Sequence, residues 1–274
     1  MNASAQIDRD RLSVLLGGVA VGYTMSKVIQ LPSRHVAFSV LGSELGVQLS
    51  THWLMMAFVL GLVISGARSL FSLHPLYRQG ELRHAVIFWI LPALTTLTIG
   101  VLLARTKAVP VWLLLMFGGI GLLQVVITSE FRALDGDELG GPRTQIYTRI
   151  LGYLLALLLF IFVYASRART LLLAPAILAI SSLLALRLYW CAKQEIAQVA
   201  LYAGVTGLVV GQSVWALNYW QISPLAGGLY LLLFFYVATG IVAQSLTGRL
   251  NGRIALEYAL LALVAALAIP SLQV

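Results

Sequence analysis

Long apolar runs alternate with short polar segments along almost the whole chain. A helix needs about 20 apolar residues to cross the roughly 30 Å of hydrocarbon in a bilayer. In lipid every backbone polar group must find a partner within its own segment, so such runs are expected to be helices. The pattern predicts an all-α membrane bundle of nine transmembrane helices, at about residues 12–31, 52–72, 85–105, 109–128, 147–166, 170–190, 196–217, 224–246 and 254–271.

Residues 36–49, between the first two predicted spans, alternate with the period of two that is typical of a β-hairpin. Gly42-Ser43 suits a two-residue turn, and pairing across it places apolar residues on one face and mostly polar residues on the other. The predicted pairs are Val40 with Leu45, Phe38 with Val47, and Val36 with Leu49. Because an isolated hairpin is marginal in water, we expect it to cap the outer mouth of the bundle, or to be a connector that packs on it.

Composition and charge support the membrane assignment. The chain is 60% hydrophobic and 10% charged, whereas soluble domains carry about 25% charged residues. The net charge of +8 does not indicate nucleic-acid binding, because the basic residues are scattered singly through short loops. With the N-terminus inside, twelve of the 18 Lys and Arg residues fall on the inner side. This bias predicts a cytoplasmic N-terminus and an extracytoplasmic C-terminus.

The domain organisation follows from the same pattern. We expect residues 1–274 to form a single membrane domain, with residues 1–11 in the cytoplasm. The charged residues 8–11 precede an apolar run that reaches Leu31 without a small-residue cleavage site. This arrangement is typical of a signal anchor that stays in the protein.

Candidate chemistry is sparse. No predicted span carries a charge at its midpoint, which disfavours a proton pump or a carrier with a buried carboxylate. Lys27 and Glu257 lie near span ends, where a lysine reaches water and a glutamate can pair with Arg253. None of the four histidines lies mid-span, so the spans offer no pair of haem ligands, and no cofactor is predicted. The acidic segment 135–138 lacks a complete calcium-loop spacing and is typical of a solvated turn.

The most distinctive stretch combines polar and aromatic residues near the predicted outer boundary. It runs from Trp215 to Trp220 and is followed by Gly227-Gly228. The candidates for contacting a ligand beneath the hairpin are Gln212, Trp215, Asn218 and Trp220. The alternative is an aromatic belt around a helix turn, since tryptophan and tyrosine concentrate at membrane interfaces.

Several short motifs spread over the chain point to a family. They are Leu31-Pro32-Ser33-Arg34, Leu41-Gly42-Ser43, Ser65-Gly66 before His74-Pro75, Trp215 to Trp220, and Gly248-Arg249-Leu250 followed by Glu257-Tyr258. In these motifs the chain resembles, over nearly its whole length, a family of bacterial multi-pass membrane proteins classed only as a domain of unknown function. The resemblance implies a bacterial cytoplasmic-membrane protein and supplies no catalytic residue.

Three functional hypotheses remain open. The leading one is a non-enzymatic accessory or scaffold subunit, whose partners are the lipid bilayer and another membrane protein, because no catalytic motif is present. The second is a carrier or binder of a small or lipidic ligand that uses Gln212, Asn218 and Trp220. The third is an intramembrane enzyme, which would require the segment 135–138 to hold a metal ion.

Overall fold

A computed structural model describes residues 8–29, 34–40, 43–49, 51–72, 85–134, 142–166, 170–190, 195–220, 222–246, 248 and 251–269. Within these residues the chain forms nine α-helices, and a 3₁₀ turn at Ala85–Trp89 leads into the third. The helices are α1 Arg9–Val28, α2 Thr51–Phe71, α3 Ile90–Arg105, α4 Val109–Leu134, α5 Pro142–Ala165, α6 Thr170–Tyr189, α7 Ile196–Asn218, α8 Pro224–Leu246 and α9 Gly252–Ala268.

Each of these helices overlaps one predicted span, and seven of them are long and apolar enough to cross a membrane, α3 being counted together with the preceding 3₁₀ turn as a span of 20 residues, Val86–Arg105. The two others are α1 and α9. Helix α1 carries charged residues in its first and last turns. Helix α9 has 17 residues and extends only about 25 Å at about 1.5 Å per residue. The seven apolar helices indicate a membrane location, whereas the count of nine spans stays a prediction.

Helix α4 continues past the predicted end at residue 128 to Leu134. Packing stabilises this extension, because Phe131 stacks on Phe71 with ring centroids 6.2 Å apart. The end predicted from hydropathy lies too early in the chain, because charged residues lower the local hydropathy but do not end a helix. Helix α5 begins at Pro142, before the predicted start at 147, since proline at the first position loses no helical hydrogen bond.

Two short strands, β1 Arg34–Val40 and β2 Ser43–Leu49, pair antiparallel. Their register differs by two residues from the predicted one: Val36 lies opposite Val47, Phe38 opposite Leu45, and Val40 opposite Ser43. Ser43 therefore belongs to β2 and not to the turn, while residues 41 and 42 lie outside the described residues. Alternation cannot distinguish registers that differ by two, because both place the same positions in phase. The surface that this strand pair covers stays a prediction.

Packing divides the chain into two compact units, Met1–Gly136 and Asp137–Val274, called the first and the second unit below. In the first unit α1 and α2 approach closely through glycines. A Cβ added at Gly22 would lie 2.5 Å from Val59 Cγ2. Helix association in lipid depends on such packing of small residues. The Tyr23 hydroxyl donates a hydrogen bond of 2.7 Å to the Thr96 carbonyl oxygen and so joins α1 to α3.

In the second unit α7 packs on α6 through Gly207 and Gly211. A Cβ at Gly207 would overlap Ser182 Oγ and lie 2.7 Å from the Leu178 carbonyl oxygen. A Cβ at Gly211 would lie 2.9 Å from Leu178 Cβ. The spacing of four residues places both glycines on one face of α7, which permits this close approach.

Candidate functional site

The contact between α5 and α8 widens from one end to the other. At one end a Cβ on Gly227 would lie 2.5 Å from the Tyr164 ring, so the two helices touch. Further along, Phe160 and Phe235 meet edge to face with centroids 5.9 Å apart. Tyr153 then meets Phe235 at 5.8 Å. Because bulky rings replace glycine in this direction, the helices are held apart and space opens between them.

A cavity of about 400 Å³ lies at this wider end, bordered by α5, α6, α8 and α9. We call it the tyrosine pocket, because each of the four helices contributes one tyrosine: Tyr153, Tyr189, Tyr236 and Tyr258. It lies at the end where α5 and α9 begin and where α6 and α8 end. Thr239 in its lining is about 10 Å from the end of α8, so the pocket extends from the helix ends to roughly that depth.

Hydrogen bonds hold two of the tyrosines in place. Tyr153 Oη is 2.9 Å from Thr239 Oγ1, and Thr239 Oγ1 donates to the Phe235 carbonyl oxygen at 2.7 Å. A threonine hydroxyl has one proton, so with that proton on the carbonyl Tyr153 is the donor to Thr239. Tyr189 Oη lies 2.7 Å from Thr206 Oγ1. Each ring is therefore anchored to a neighbouring helix before any ligand arrives, which reduces the entropy lost on binding.

Three of the rings form a row from α5 across α8 to α9. The centroids of Tyr153 and Tyr236 are 5.5 Å apart, and those of Tyr236 and Tyr258 are 5.9 Å apart. These distances are in the range of favourable aromatic pairs. Gly240 makes room for the third ring, since a Cβ there would lie 2.7 Å from Tyr258 Oη. Tyr258 thus both lines the pocket and fixes α9 on α8.

Arg149 gives the tyrosine pocket a positive charge, and none of the described lining residues is acidic. The guanidinium belongs to a residue about 5 Å inside Ile146, where the apolar part of α5 begins. Gln244 adds an amide to the same lining. Arginine together with hydroxyl and amide donors suits the oxygens of a carboxylate or a phosphate.

A second cavity, of about 620 Å³, forms an apolar groove between α7 and α8. It follows α7 from Val205 to Leu217 and α8 from Tyr230 to Val242, about 18 Å along each helix. Thr206 is part of its lining, but the threonine hydroxyl is engaged with Tyr189. The surface of the groove is therefore almost wholly apolar.

The four residues that the sequence predicts as ligand contacts do not converge on one cavity. Trp220 lines the apolar groove. Asn218 Nδ2 donates to Thr170 Oγ1 at 2.6 Å and ties the end of α7 to the start of α6. Gln212 and Trp215 are exposed on α7. Their joint role in binding stays a prediction, and so does a ligand position beneath the strand pair, which belongs to the first unit.

Sequence reasoning did not find the tyrosine pocket, because no motif joins its residues. The sequence does contain one signal, namely the position of each tyrosine along its helix. Each of Tyr153, Tyr189, Tyr236 and Tyr258 lies in the half of its helix that is nearest the same end of the unit. A comparison of polar residues by depth across successive spans would have selected them.

The charged residues near span ends have the following surroundings. Lys27 Nζ donates to the Thr106 carbonyl oxygen at 3.1 Å and lies 6.0 Å from the centroid of the Trp112 ring, as expected of a lysine at an interface. Glu257 is exposed, and its pairing with Arg253 stays a prediction. The acidic segment 135–138 lies outside the described residues.

Comparison with known proteins identifies a family. Residues 31–271 match the sequence profile of the protein family described as Protein of unknown function (DUF5656). No curated protein and no solved structure matches the chain. The match confirms the resemblance carried by the short motifs, while the bacterial origin stays a prediction. Because it covers well over half of the chain, the protein belongs to this family, DUF5656.

Proposed function

We propose that this integral membrane protein binds an anionic ligand in the tyrosine pocket, at the cytoplasmic side of the cell membrane. The observation that carries the proposal is the placement of Arg149 among four tyrosines, with no acidic residue in the described lining. The cavity of about 400 Å³ falls within the range of ligand pockets, about 300–1,000 Å³. The group that it binds is a phosphate or a carboxylate.

The distribution of basic residues supports the cytoplasmic side. Of the eight Lys and Arg residues in Asp137–Val274, six belong to or adjoin in sequence the helix ends that border the pocket, and two adjoin in sequence the opposite helix ends. The six are Arg143, Arg149, Arg187, Lys193, Arg249 and Arg253, and the two are Arg167 and Arg169. Positive residues concentrate on the cytoplasmic side of membrane proteins. With nine crossings, this orientation gives a cytoplasmic N-terminus and an extracytoplasmic C-terminus.

The chemistry of the pocket supports an anion. The cytoplasmic leaflet carries anionic lipids, and basic pockets between transmembrane helices on that side bind their headgroups. A guanidinium forms paired, charge-assisted hydrogen bonds with phosphate or carboxylate oxygens. Arg149 is exposed at the mouth of the pocket, whereas Thr239, about 10 Å below the helix end, is buried and screened from water. Polar contacts are stronger in such a place than in solution.

The binding proposal is tested with purified full-length protein in mild detergent. The probe is phosphatidylglycerol, the reference is zwitterionic phosphatidylcholine, and native mass spectrometry counts the lipids retained. We expect the wild type to retain phosphatidylglycerol preferentially. Arg149→Gln should weaken this binding at least about tenfold, since a hydrogen bond to a charged group contributes about 1.5–3 kcal/mol. Arg68→Gln is the matched control, because it makes the same charge change on an exposed residue of the first unit.

Two results would overturn the proposal: equal retention of both lipids by the wild type, or unchanged phosphatidylglycerol binding in Arg149→Gln. The same preparation also addresses the accessory or scaffold role that the sequence predicts. A stoichiometric protein partner, with no bound lipid, would favour that role.

The orientation is tested with the single cysteine, Cys191. It follows the end of α6 closely and therefore marks the side on which the tyrosine pocket lies. We expect a membrane-impermeant maleimide to label it in inside-out vesicles and not in intact cells, with permeabilised cells as the control for reactivity. Labelling in intact cells would place the pocket on the outer side and reverse the proposed topology.

A further inference from the structure

We infer that the ligand of the tyrosine pocket is a lipid, and that one of its acyl chains lies in the apolar groove between α7 and α8. The inference rests on the proposed function, because the headgroup in the tyrosine pocket places the chain. It also narrows the ligand class, since a phosphate or carboxylate can belong either to a lipid or to a soluble metabolite.

The apolar groove has the size and the surface that an acyl chain requires. Its lining extends about 18 Å along α7 and α8, and one leaflet provides about half of the roughly 30 Å of hydrocarbon in a bilayer. Both helices are among those apolar enough to span a membrane. Val209 and Phe234 in the lining are 46% and 40% exposed. The groove is therefore open at the side, at a depth where the surrounding medium is hydrocarbon.

The groove and the tyrosine pocket share a wall. Tyr189 of the pocket is hydrogen-bonded to Thr206 of the groove. On α8, Thr239 lines the pocket, and its sequence neighbour Ala238 lines the groove. The two cavities are thus adjacent around α8.

Helix α9 borders both cavities. Tyr258 lines the tyrosine pocket, and Ala262 lines the apolar groove. The two residues are about one helical turn apart, a separation of about 6 Å. A headgroup held beside Tyr258 therefore has to extend only a short distance along α9 before its chain reaches the groove.

The order of the two cavities with depth matches a lipid in a bilayer. The tyrosine pocket begins at the helix ends, while the groove starts deeper and runs toward the opposite end. Along α8 its lining extends from Val242, about 6 Å from the end of the helix, to Tyr230, about 24 Å from that end. A charged headgroup at the interface with a chain directed into the hydrocarbon follows the same order.

The test is photolabelling of the full-length protein in mild detergent. The probes are two phosphatidylglycerols that carry a diazirine either in the middle or at the end of one acyl chain. We expect the mid-chain probe to label peptides around Val205 and Ile241, and the end-of-chain probe to label peptides around Leu217 and Tyr230. Arg149→Gln should reduce both signals by about the same tenfold factor as lipid binding, because the headgroup anchors the chain.

A variant that fills the groove distinguishes a chain bound in the groove from lipid that merely surrounds the helices. Ala238→Trp places a bulky ring in the lining and should abolish labelling at Leu217 and Tyr230, while the preference for phosphatidylglycerol over phosphatidylcholine remains. That remaining preference also shows that the variant is folded. Ala200→Trp is the matched control on exposed surface of α7 outside the groove, and it should label like the wild type.

The outcomes distinguish the two proposals. If Arg149→Gln removes the headgroup preference, but Ala238→Trp still labels at Leu217 and Tyr230, the chain lies elsewhere and only this inference is overturned. Complete displacement of the lipid by millimolar inorganic phosphate would identify a soluble anion as the ligand and would also overturn it. If the wild type shows no headgroup preference, the proposed function fails and this inference fails with it.

Discussion

Tyr23 of the first unit and Tyr153 of the second unit use their hydroxyls in different ways. Tyr23 in the first unit is 1% exposed, and its hydroxyl donates to the backbone oxygen of Thr96 inside the core. Tyr153 in the second unit is bonded to the side chain of Thr239 and lines a cavity. Both are polar residues within helix bundles. A polar residue within a bundle therefore becomes part of a site only where its neighbours leave space.

Glycine placement explains why the space differs. In the first unit Gly18 and Gly22 of α1 and Gly66 of α2 all contact the facing helix, which brings α1 and α2 together along much of their length. In the second unit the glycines of the α5–α8 contact lie at one end only, at Gly227-Gly228. Aromatic rings fill the contact beyond them with edge-to-face pairs, and the tyrosine pocket lies at the far end of this row, beside Tyr153.

The largest expected effect is that of Gly207→Ala in the second unit. Its Cβ would overlap Ser182 Oγ and approach the Leu178 carbonyl oxygen, which cannot rotate away. Overpacking of this kind costs about 1–3 kcal/mol, and we expect the upper part of that range as a lower unfolding midpoint in detergent. Gly204→Ala on the same helix, with nothing within 4 Å of its Cβ, should match or exceed the wild type. Equal midpoints for the two variants would contradict the α6–α7 contact.

A smaller loss is expected for Gly22→Ala in the first unit. The nearest atom to its Cβ is Val59 Cγ2, a side-chain methyl that a rotamer change can move. We therefore expect a destabilisation of about 1 kcal/mol, near the lower limit for overpacking, measured by the same unfolding assay. Gly17→Ala, whose Cβ meets nothing within 4 Å, is the control. A loss in Gly22→Ala as large as in Gly207→Ala would show that side-chain and backbone clashes are equivalent in this protein.

The hydroxyl deletions Tyr23→Phe and Tyr153→Phe distinguish an effect on stability from an effect on lipid binding. Tyr23→Phe removes a buried hydrogen bond and should cost about 1 kcal/mol of stability, with no change in phosphatidylglycerol retention. In Tyr153→Phe, Thr239 keeps its bond to the Phe235 carbonyl, so we expect at most about 0.5 kcal/mol lost. Its lipid retention should fall severalfold, because the ring loses the hydrogen bond to Thr239 that fixes it in the pocket lining. If lipid retention fell in Tyr23→Phe and stayed unchanged in Tyr153→Phe, the ligand would lie in the first unit.

The sequence alone determined the parts of this protein that depend on local chemistry. The apolar runs predicted the described helices, because a chain in lipid must satisfy its backbone hydrogen bonds within each segment. The spacing of Gly207 and Gly211 permits a close helix contact, because residues four apart share one face of a helix. The short motifs also predicted the family that the comparison confirms.

Which distant residues meet depends on the packing of the helices. Tyr153 and Tyr258 are far apart in the chain and share no motif, yet both reach one cavity because α8 packs between their helices. The register of β1 and β2 and the end of α4 at Leu134 were also beyond the sequence pattern. Periodicity reports which face a residue lies on, and hydropathy reports its depth. Neither reports which helix lies opposite, because that depends on side-chain sizes along every contact at once.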